Sequence, residues 1–352
     1  MTYRVSVVVP TYKRPDLLKH CLTALLGQDF DKASYEVIVV DDAPDDATKQ
    51  LVESLARQSE PCSPRLRYIP VGVSAERSGA HLNSSCPSPI HRPSGKSVTS
   101  LHGPAVARNI GWSAASGEII AFTDDDCLPA PGWLMAGVAA FVDGVVGVSG
   151  KIHVPLESTP TDYERNAAHL STAEFVTANC FYLRSALVSV GGFDERFTSA
   201  WREDSDLFFT LLQHHDKFLY MPEAVVVHPV RPACWGISLR QQRKSMFNAL
   251  LYKKHPSLYR QKIQAAPPWH YYCIVVALFS ACITALGGLW LFACAAFGIW
   301  LCLTARFCFQ RLRHTSHAPG HILEMMVTSM MIPPLSIYWR IFGAIKFRVF
   351  FL

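Results

Sequence analysis

The sequence predicts an α/β domain with a mostly parallel sheet, followed by a helical membrane region. Two continuous apolar segments, residues 5–9 and 35–40, are typical of strands that are covered on both faces. Leucines at helical spacing follow Pro15 between these segments, which indicates a strand–helix–strand unit. An uncharged apolar run of about 35 residues, between Pro267 and Arg306, is long enough to enter a membrane.

Later segments extend the predicted sheet. We expect a helix over residues 46–58, a short strand over 66–71 and a buried strand over 117–123. The last strand runs directly into three aspartates, 124–126, and open α/β sheets bind ligands at such strand ends. Residues 74–101 are rich in Ser, Pro and Gly and have no apolar period, so a disordered insertion is expected there.

Composition argues against two classes of protein. The net charge of +5 on 352 residues does not indicate a nucleic-acid partner. The eleven cysteines include no C-x-x-C spacing, so neither a zinc site nor a disulfide framework is expected. We expect buried free thiols in a reducing cytosol instead. Basic residues instead gather next to the apolar C-terminal segments, where anionic membrane lipid is the expected partner: Arg240, Arg243, Lys244, Lys253, Lys254, Arg260 and Lys262.

The apolar run predicts a membrane hairpin. As one helix it would extend roughly 50 Å, against a hydrocarbon core of about 30 Å. Gly287-Gly288 near its middle allows two short spans, and Lys and Arg flank the pair but are absent from the turn. The positive-inside rule then places both ends in the cytosol. Since the N-terminus has no signal-peptide core, we expect the catalytic domain on the cytosolic face of a bacterial inner membrane.

These observations predict an order of domains along the chain. We expect a catalytic domain at 1–235 with the insertion at 74–101, a basic interfacial helical region at 236–267, a transmembrane hairpin at 268–305, and a cytosolic loop with an interfacial or re-entrant segment at 306–352.

Carboxylates at two strand ends are candidates for binding. Asp124 and Asp126 form a D-x-D, whose oxygens suit Mg²⁺ or Mn²⁺ bridging a diphosphate. An acidic loop or a helix cap would have the same residues. Asp41 and Asp42 end the second strand, where they either bind the base or ribose of a nucleotide or simply solvate the strand end.

Two further residues have both a functional and a structural interpretation. Asp204 precedes the apolar segment LFFTLL, so it is expected near a helix N-terminus, where it either accepts a proton from an attacking hydroxyl or caps the helix. His228 follows the strand-like AVVV, and a histidine at a strand end is more often structural than a ligand.

Taken together, the motifs resemble one enzyme family. VSVVVPTYKRPDLL, VIVVDDA, ARNIGWSAASGEIIAFTDDDC, GGFDERF and WREDSDLFFTLL are similar, in this order over residues 3–230, to inverting glycosyltransferases of family 2, which have the GT-A fold. The resemblance implies transfer of a sugar from a nucleotide-diphosphate sugar to an acceptor hydroxyl. It also implies a divalent cation, Mg²⁺ or Mn²⁺, as cofactor.

The resemblance also implies roles for individual residues. The catalytic base would be Asp204, and the metal ligands Asp124, Asp126 and His228. Residues of the nucleotide-sugar pocket would be Pro10, Thr11, Tyr12, Arg14, Asp41, Asp42, Arg108, Asp124 and Asp125. The sugar and acceptor pocket would include Asn179, Trp201 and Glu203.

Two departures from the family pattern narrow the expected activity. The insertion at 74–101 enlarges the loop before the A-R-N motif. Processive members carry Q-x-x-R-W before their membrane helices, whereas LRQQRK here has no tryptophan after its second arginine, Arg243. We therefore expect a non-processive enzyme that adds one sugar to a lipid-linked or membrane-proximal saccharide acceptor for cell-surface polysaccharide or glycolipid. The alternative is an inactive membrane scaffold that binds a nucleotide sugar.

Overall fold

A computed structural model describes residues 3–58, 63–72 and 102–351, and the predicted insertion at 74–101 lies outside these ranges. The chain forms two compact units. The first comprises Met1–His153 and Thr172–Pro229, and the second comprises Val154–Ser171 and Val230–Leu352. Residues 154–171, which we expected in the catalytic domain, therefore group with the C-terminal part of the chain.

The first unit alternates strands and helices in the predicted order. Its strands are β1 (Val5–Thr11), β2 (Tyr35–Asp41), β3 (Arg65–Pro70), β4 (Ile119–Phe122), β5 (Leu128–Pro129), β6 (Gly147–His153), β7 (Cys180–Leu183) and β8 (Phe218–Val227). Its helices are α1 (Pro15–Leu26), α2 (Asp46–Gln58), α3 (Pro104–Ser113), α4 (Trp133–Ala139), α6 (Arg184–Val190) and α7 (Glu203–Leu212), while α5 (Asp162–Ala167) belongs to the second unit.

The eight strands form one sheet in the order β3-β2-β1-β4-β7-β6-β8-β5. Four of the seven pairings are parallel, including β1 with both β2 and β4, so the predicted mostly parallel sheet is confirmed. The carboxyl ends of β1, β2 and β4 consequently meet at one edge of the sheet. Every residue of β2 is buried, as expected for a strand with helices on both faces.

Close packing of α3 against the sheet brings its side chains near this edge. A Cβ atom built on Gly111 would lie 2.3 Å from Val8 Cγ1 in β1. Only glycine permits this approach without a shift of helix or strand. Arg108 is one turn earlier on the same helix, so its position depends on this contact.

The second unit is helical. It contains α5, α8 (Ile237–Gln241), α9 (Phe247–Lys254), α10 (Pro256–Lys262), α11 (Trp269–Leu286), α12 (Trp290–Leu312) and α13 (Pro319–Phe347). The break between α11 and α12 falls at Gly287-Gly288, as predicted, and Gly288 has a φ of +73°. By length and composition, α11, α12 and α13 can each cross a membrane, within the part of the chain that the structure describes.

Two expectations for the C-terminal region are corrected. Residues 306–312, expected in a cytosolic loop, continue helix α12. The segment after them forms one helix through Pro333 and Pro334, without the reversal that a re-entrant segment needs, while the interfacial alternative stays a prediction. Proline is tolerated inside membrane helices where neighbouring groups satisfy the freed backbone carbonyls.

A buried ion pair connects α5 to the long helices of the second unit. Arg311 Nη2 lies 2.7 Å from Asp162 Oδ2, and its Nη1 donates to Thr328 Oγ1 at 2.6 Å and to Ser329 Oγ at 3.2 Å. The Arg311 side chain is 8% exposed. Since a buried guanidinium is stable only when it is paired, Asp162 holds the segment 154–171 to these helices.

We predict that Asp162→Ala destabilises the second unit. Removal of one partner of a buried pair costs about 3 kcal/mol, because Arg311 would keep its charge without a counterion. Thermal unfolding of the detergent-solubilised chain should show a lower midpoint, whereas Glu157→Ala, an exposed carboxylate in the same segment, should leave it unchanged. Equal midpoints for the two variants would show that the pair does not stabilise the unit.

Candidate active site

Three consecutive aspartates after β4 have three different sets of partners. Asp125 is buried, and it accepts hydrogen bonds from Thr11 Oγ1 at 2.8 Å and from Arg14 Nη1 at 2.9 Å. Burial raises the pKa of Asp125 and the Arg14 guanidinium opposes this shift. Asp125, expected in the nucleotide-sugar pocket, thus links the ends of β1 and β4.

Asp124, the second of the three aspartates described, is bonded to Arg108, which also bonds Glu203. Arg108 Nη2 donates to Asp124 Oδ1 at 2.8 Å and its Nη1 donates to Glu203 Oε1 at 2.9 Å. The side chains of Arg108 and Glu203 are each 3% exposed. Burial by itself lowers the pKa of Arg108, but the two carboxylates outweigh it and raise that pKa, so the guanidinium stays charged. Arg108 therefore ties the end of β4 to the start of α7.

The third aspartate lies beside a histidine from a distant part of the chain. Asp126 Oδ1 is 3.6 Å from His228 Nε2, and Asp126 Oδ2 is 4.0 Å from Arg14 Nη1. Cys127 Sγ completes a group whose three ligand atoms lie within 4.8 Å of one another. These side chains meet because β5 pairs with β8, which puts Leu128 opposite Val227. Asp126 and Cys127 precede Leu128, and His228 follows Val227.

The structure brings only part of the predicted set of metal ligands together. Asp126 and His228 are brought together as expected, whereas Asp124 pairs with Arg108 and lies outside the group. Cys127 was not among the sequence candidates. Its position directly after the triple aspartate is the signal that could have identified it.

Asp204 occupies the first turn of α7, as predicted from the sequence. Its Oδ1 accepts hydrogen bonds from Ser205 N at 2.6 Å and Ser205 Oγ at 3.3 Å. Burial raises the pKa of Asp204, and the Ser205 amide and the Arg202 guanidinium oppose the shift. The pKa of Glu203 is also raised, first by burial and then by the charge of Asp204. These two carboxylates thus hold protons more readily than exposed ones.

The remaining candidates divide into exposed and internally bonded residues. Tyr12 is 51% exposed and Trp201 is 37% exposed, with the Arg202 guanidinium 4.6 Å from the Trp201 ring centroid. Asp41 is buried and accepts from Tyr68 Oη at 2.9 Å. Both carboxylate oxygens of Asp42 accept from Gly103 N, at 3.0 Å, which fixes the residue before α3.

Asn179, expected in the sugar and acceptor pocket, is fully buried. Its Nδ2 donates to Lys151 O at 2.9 Å and to Ala224 O at 2.8 Å, and its Oδ1 accepts from Trp133 Nε1 at 2.8 Å. The amide therefore joins β6, β8 and α4 within the core. Pro10 is the half-buried residue of β1 next to buried Thr11.

The sequence matches two family profiles and resembles several known proteins. Residues 6–79 and 97–193 match the profile described as Glycosyl transferase family 2, and residues 157–309 match that of Glycosyl transferase family group 2. The chain is 27% identical over 253 residues to glycosyltransferase AglE of Haloferax volcanii, across 68% of this chain and 70% of that protein.

Two further comparisons extend this result. Pre-mycofactocin glycosyltransferase of Mycobacterium tuberculosis is 30% identical over 243 residues, which are 64% of this chain and 43% of that protein. The solved structure of the mannosyltransferase PcManGT from Pyrobaculum calidifontis, in complex with GDP-Man and Mn²⁺, superposes with a TM-score of 0.54 at 18% identity, covering 99% of this chain and 88% of that one. This likeness shows the shared fold.

The sheet order, the acidic edge formed by β1 and β4, and the two overlapping profile matches agree with one another. They show that the chain belongs to glycosyltransferase family 2 and has the GT-A fold.

Proposed function

We propose that the chain transfers one sugar from a nucleoside-diphosphate sugar to an acceptor hydroxyl with inversion of configuration, in a reaction that requires a divalent cation. The observation that carries the proposal is the charge at the edge of the sheet. There, four carboxylates share the two guanidinium groups of Arg14 and Arg108. The surplus negative charge favours a bound cation, since a diphosphate alone would be repelled.

The residues at this edge fit a divalent cation. The 3.6 Å between Asp126 Oδ1 and His228 Nε2 is a separation that two ligands of one ion have when each bond is about 2.1 Å. Asp126 and His228 would hold the cation, which supplies charge that neutralises the leaving diphosphate. PcManGT, which shares the fold, was solved with GDP-Man and Mn²⁺, and this supports the proposal.

The donor is proposed to lie against the end of β1. Tyr12 offers an exposed ring face for a nucleobase, and the Arg14 side chain, 34% exposed, can turn towards a phosphate. Asp124 lies close to this place with its side chain 26% exposed, so it can exchange its bond to Arg108 for one to the donor. Asp41 and Asp42 would act indirectly, by shaping the wall of the nucleotide pocket.

Asp204 is proposed to be the catalytic base. In an inverting transfer, one carboxylate takes the proton of the acceptor hydroxyl while that oxygen attacks the anomeric carbon and the diphosphate leaves. The raised pKa of Asp204 brings its basicity closer to that needed at neutral pH. Trp201 and Glu203, next to it in the chain, are proposed to border the acceptor, Glu203 through its bond to Arg108.

The acceptor is proposed to be lipid-linked or to lie at a membrane surface. Three helices of the second unit are long and apolar enough to cross a bilayer, so the enzyme and a lipid-anchored saccharide would share one membrane. We also propose that the catalytic domain lies in the cytosol at a bacterial inner membrane and that the reaction is non-processive.

The alternative is an inactive scaffold, which would not need Asp126, His228 and Asp204 together.

We expect the detergent-purified chain to release nucleoside diphosphate from one of a panel of UDP-, GDP- and dTDP-sugars. Release should need Mn²⁺ or Mg²⁺, stop with EDTA and rise when membrane lipid extract is added as a source of acceptor. Silence with every donor, together with no metal-dependent nucleotide binding, would contradict the transferase and favour the scaffold.

We predict that Asp204→Asn lowers kcat by about 10²- to 10⁴-fold, because an amide cannot accept the hydroxyl proton. Nucleotide binding, measured by calorimetry, should be nearly unchanged. Asp216→Asn is the matched control, since it removes an exposed carboxylate shortly after the same helix. Turnover at the wild-type rate in the Asp204 variant would remove this residue from the role of base.

The raised pKa of Asp204 also predicts a pH dependence. The base works when it is ionised, so kcat/KM should fall as the pH decreases through a pKa above the ordinary aspartate value. Arg202→Gln removes a neighbouring positive charge that holds down the pKa of Asp204, so it should shift this acid limb to higher pH. A limb at the same pH in wild type and variant would show that Arg202 does not influence the proton affinity of Asp204.

A further inference from the structure

The cation site proposed above contains a side chain that sequence analysis did not assign. Cys127 Sγ, Asp126 and His228 present ligand atoms that all lie within 4.8 Å of one another. Cys127 is fully buried and Asp126 is 7% exposed, while the His228 side chain is 15% exposed. The sulfur thus lies on the protein side of the group and the imidazole lies nearer to solvent.

The distances allow all three side chains to bind one ion. Metal–sulfur bonds are about 2.3 Å and metal–nitrogen and metal–oxygen bonds about 2.0–2.2 Å, so ligand atoms around one ion are roughly 3–4 Å apart. The Asp126–His228 pair already has this separation, at 3.6 Å. The 4.8 Å limit on the group leaves roughly 1–2 Å at most for side-chain rotation to close.

We propose that Cys127 is a third protein ligand of the cation held by Asp126 and His228, which makes this a mixed sulfur, nitrogen and oxygen site. The inference rests on the proposed cation site and assigns its chemical class. A thiolate and an imidazole favour borderline cations such as Co²⁺ and Zn²⁺, whereas Mg²⁺ prefers oxygen ligands alone. The site would therefore bind Co²⁺ and Zn²⁺ more tightly than Mg²⁺.

Formation of the sulfur–metal bond requires loss of the thiol proton, which passes to solvent. In the absence of a cation, burial and the nearby aspartates disfavour the thiolate. A dication reverses this local balance, since a coordinated thiol is deprotonated outright. Positive charge at this position would also offset the surplus of carboxylates around Arg14 and Arg108.

Cys21 provides a matched control within the same core. It is equally buried and lies near the same aspartates, but its Sγ donates to Asp124 O at 3.4 Å, and it is not part of the ligand group. Replacement of either cysteine by serine makes a similar change in volume and polarity. A difference between the two variants would therefore report coordination by sulfur rather than a general effect of a buried hydroxyl.

The test is a Co²⁺ titration of the full detergent-purified chain, followed by absorption spectroscopy. The wild type and Cys21→Ser should show a near-ultraviolet sulfur-to-cobalt charge-transfer band, and Cys127→Ser should lack it. Co²⁺ affinity should fall at least tenfold in Cys127→Ser, and Mg²⁺ affinity should fall less, because Mg²⁺ prefers oxygen ligands. A band that persists in Cys127→Ser, or one that disappears in Cys21→Ser, would overturn the assignment.

A second measurement covers the case in which Cys127→Ser does not fold. X-ray absorption of the wild-type chain, loaded with less than one equivalent of Zn²⁺, should show one sulfur at about 2.3 Å. A shell of nitrogen and oxygen only would overturn the assignment and leave the transferase proposal intact. Conversely, a sulfur ligand in a chain that turns over no donor would support the metal site and contradict the proposed function.

Discussion

A buried guanidinium joins a strand end to a helix start at the proposed active site. Arg108 bonds Asp124 at the end of β4 and Glu203 at the start of α7. Its charge offsets part of the cost of burying these carboxylates. Among the residues that the structure describes, the Nε atom of Arg108 and Oε2 of Glu203 have no hydrogen-bond partner. The bridge therefore leaves one buried polar atom on each side chain without a protein partner.

This bridge depends on backbone packing and in turn positions the proposed base. Close approach of α3 to β1, permitted by Gly111, brings Arg108 to the strand end. The bond from Arg108 to Glu203 then fixes the first turn of α7, which also carries Asp204. The packing of α3 against β1 thus positions both the acidic edge and the proposed base, and a change in this packing would move them together.

The second unit also contains a buried arginine that is paired with a carboxylate. Its long helices have largely exposed apolar surfaces, which a bilayer would cover. Arg311 at the end of α12 is nevertheless charged and buried, and Asp162 from an otherwise separate segment of the chain supplies its counterion. In both units, a paired arginine therefore joins segments that are distant in sequence, and each pair stabilises only while both partners are present.

Much of the fold follows from local sequence patterns. The strands β1 and β2, helix α1 with Pro15 at its start and the break at Gly287-Gly288 all lie where apolar periodicity and turn residues predict them. These features are local because strand and helix periods and backbone preferences act over a few residues. The family, too, was identifiable from short motifs in a fixed order, and the profile matches confirm it.

The partners of the site residues were decided by tertiary structure. Nothing in the triple aspartate indicates that Asp124 pairs with Arg108 while Asp126 lies beside His228. Pairing of β5 with β8 brings together residues about a hundred positions apart, and this adds Cys127 to the group. Sequence by itself determined which residue types stand at the strand ends, but only the folded sheet decided which of them meet, because long-range strand pairing leaves no local signal.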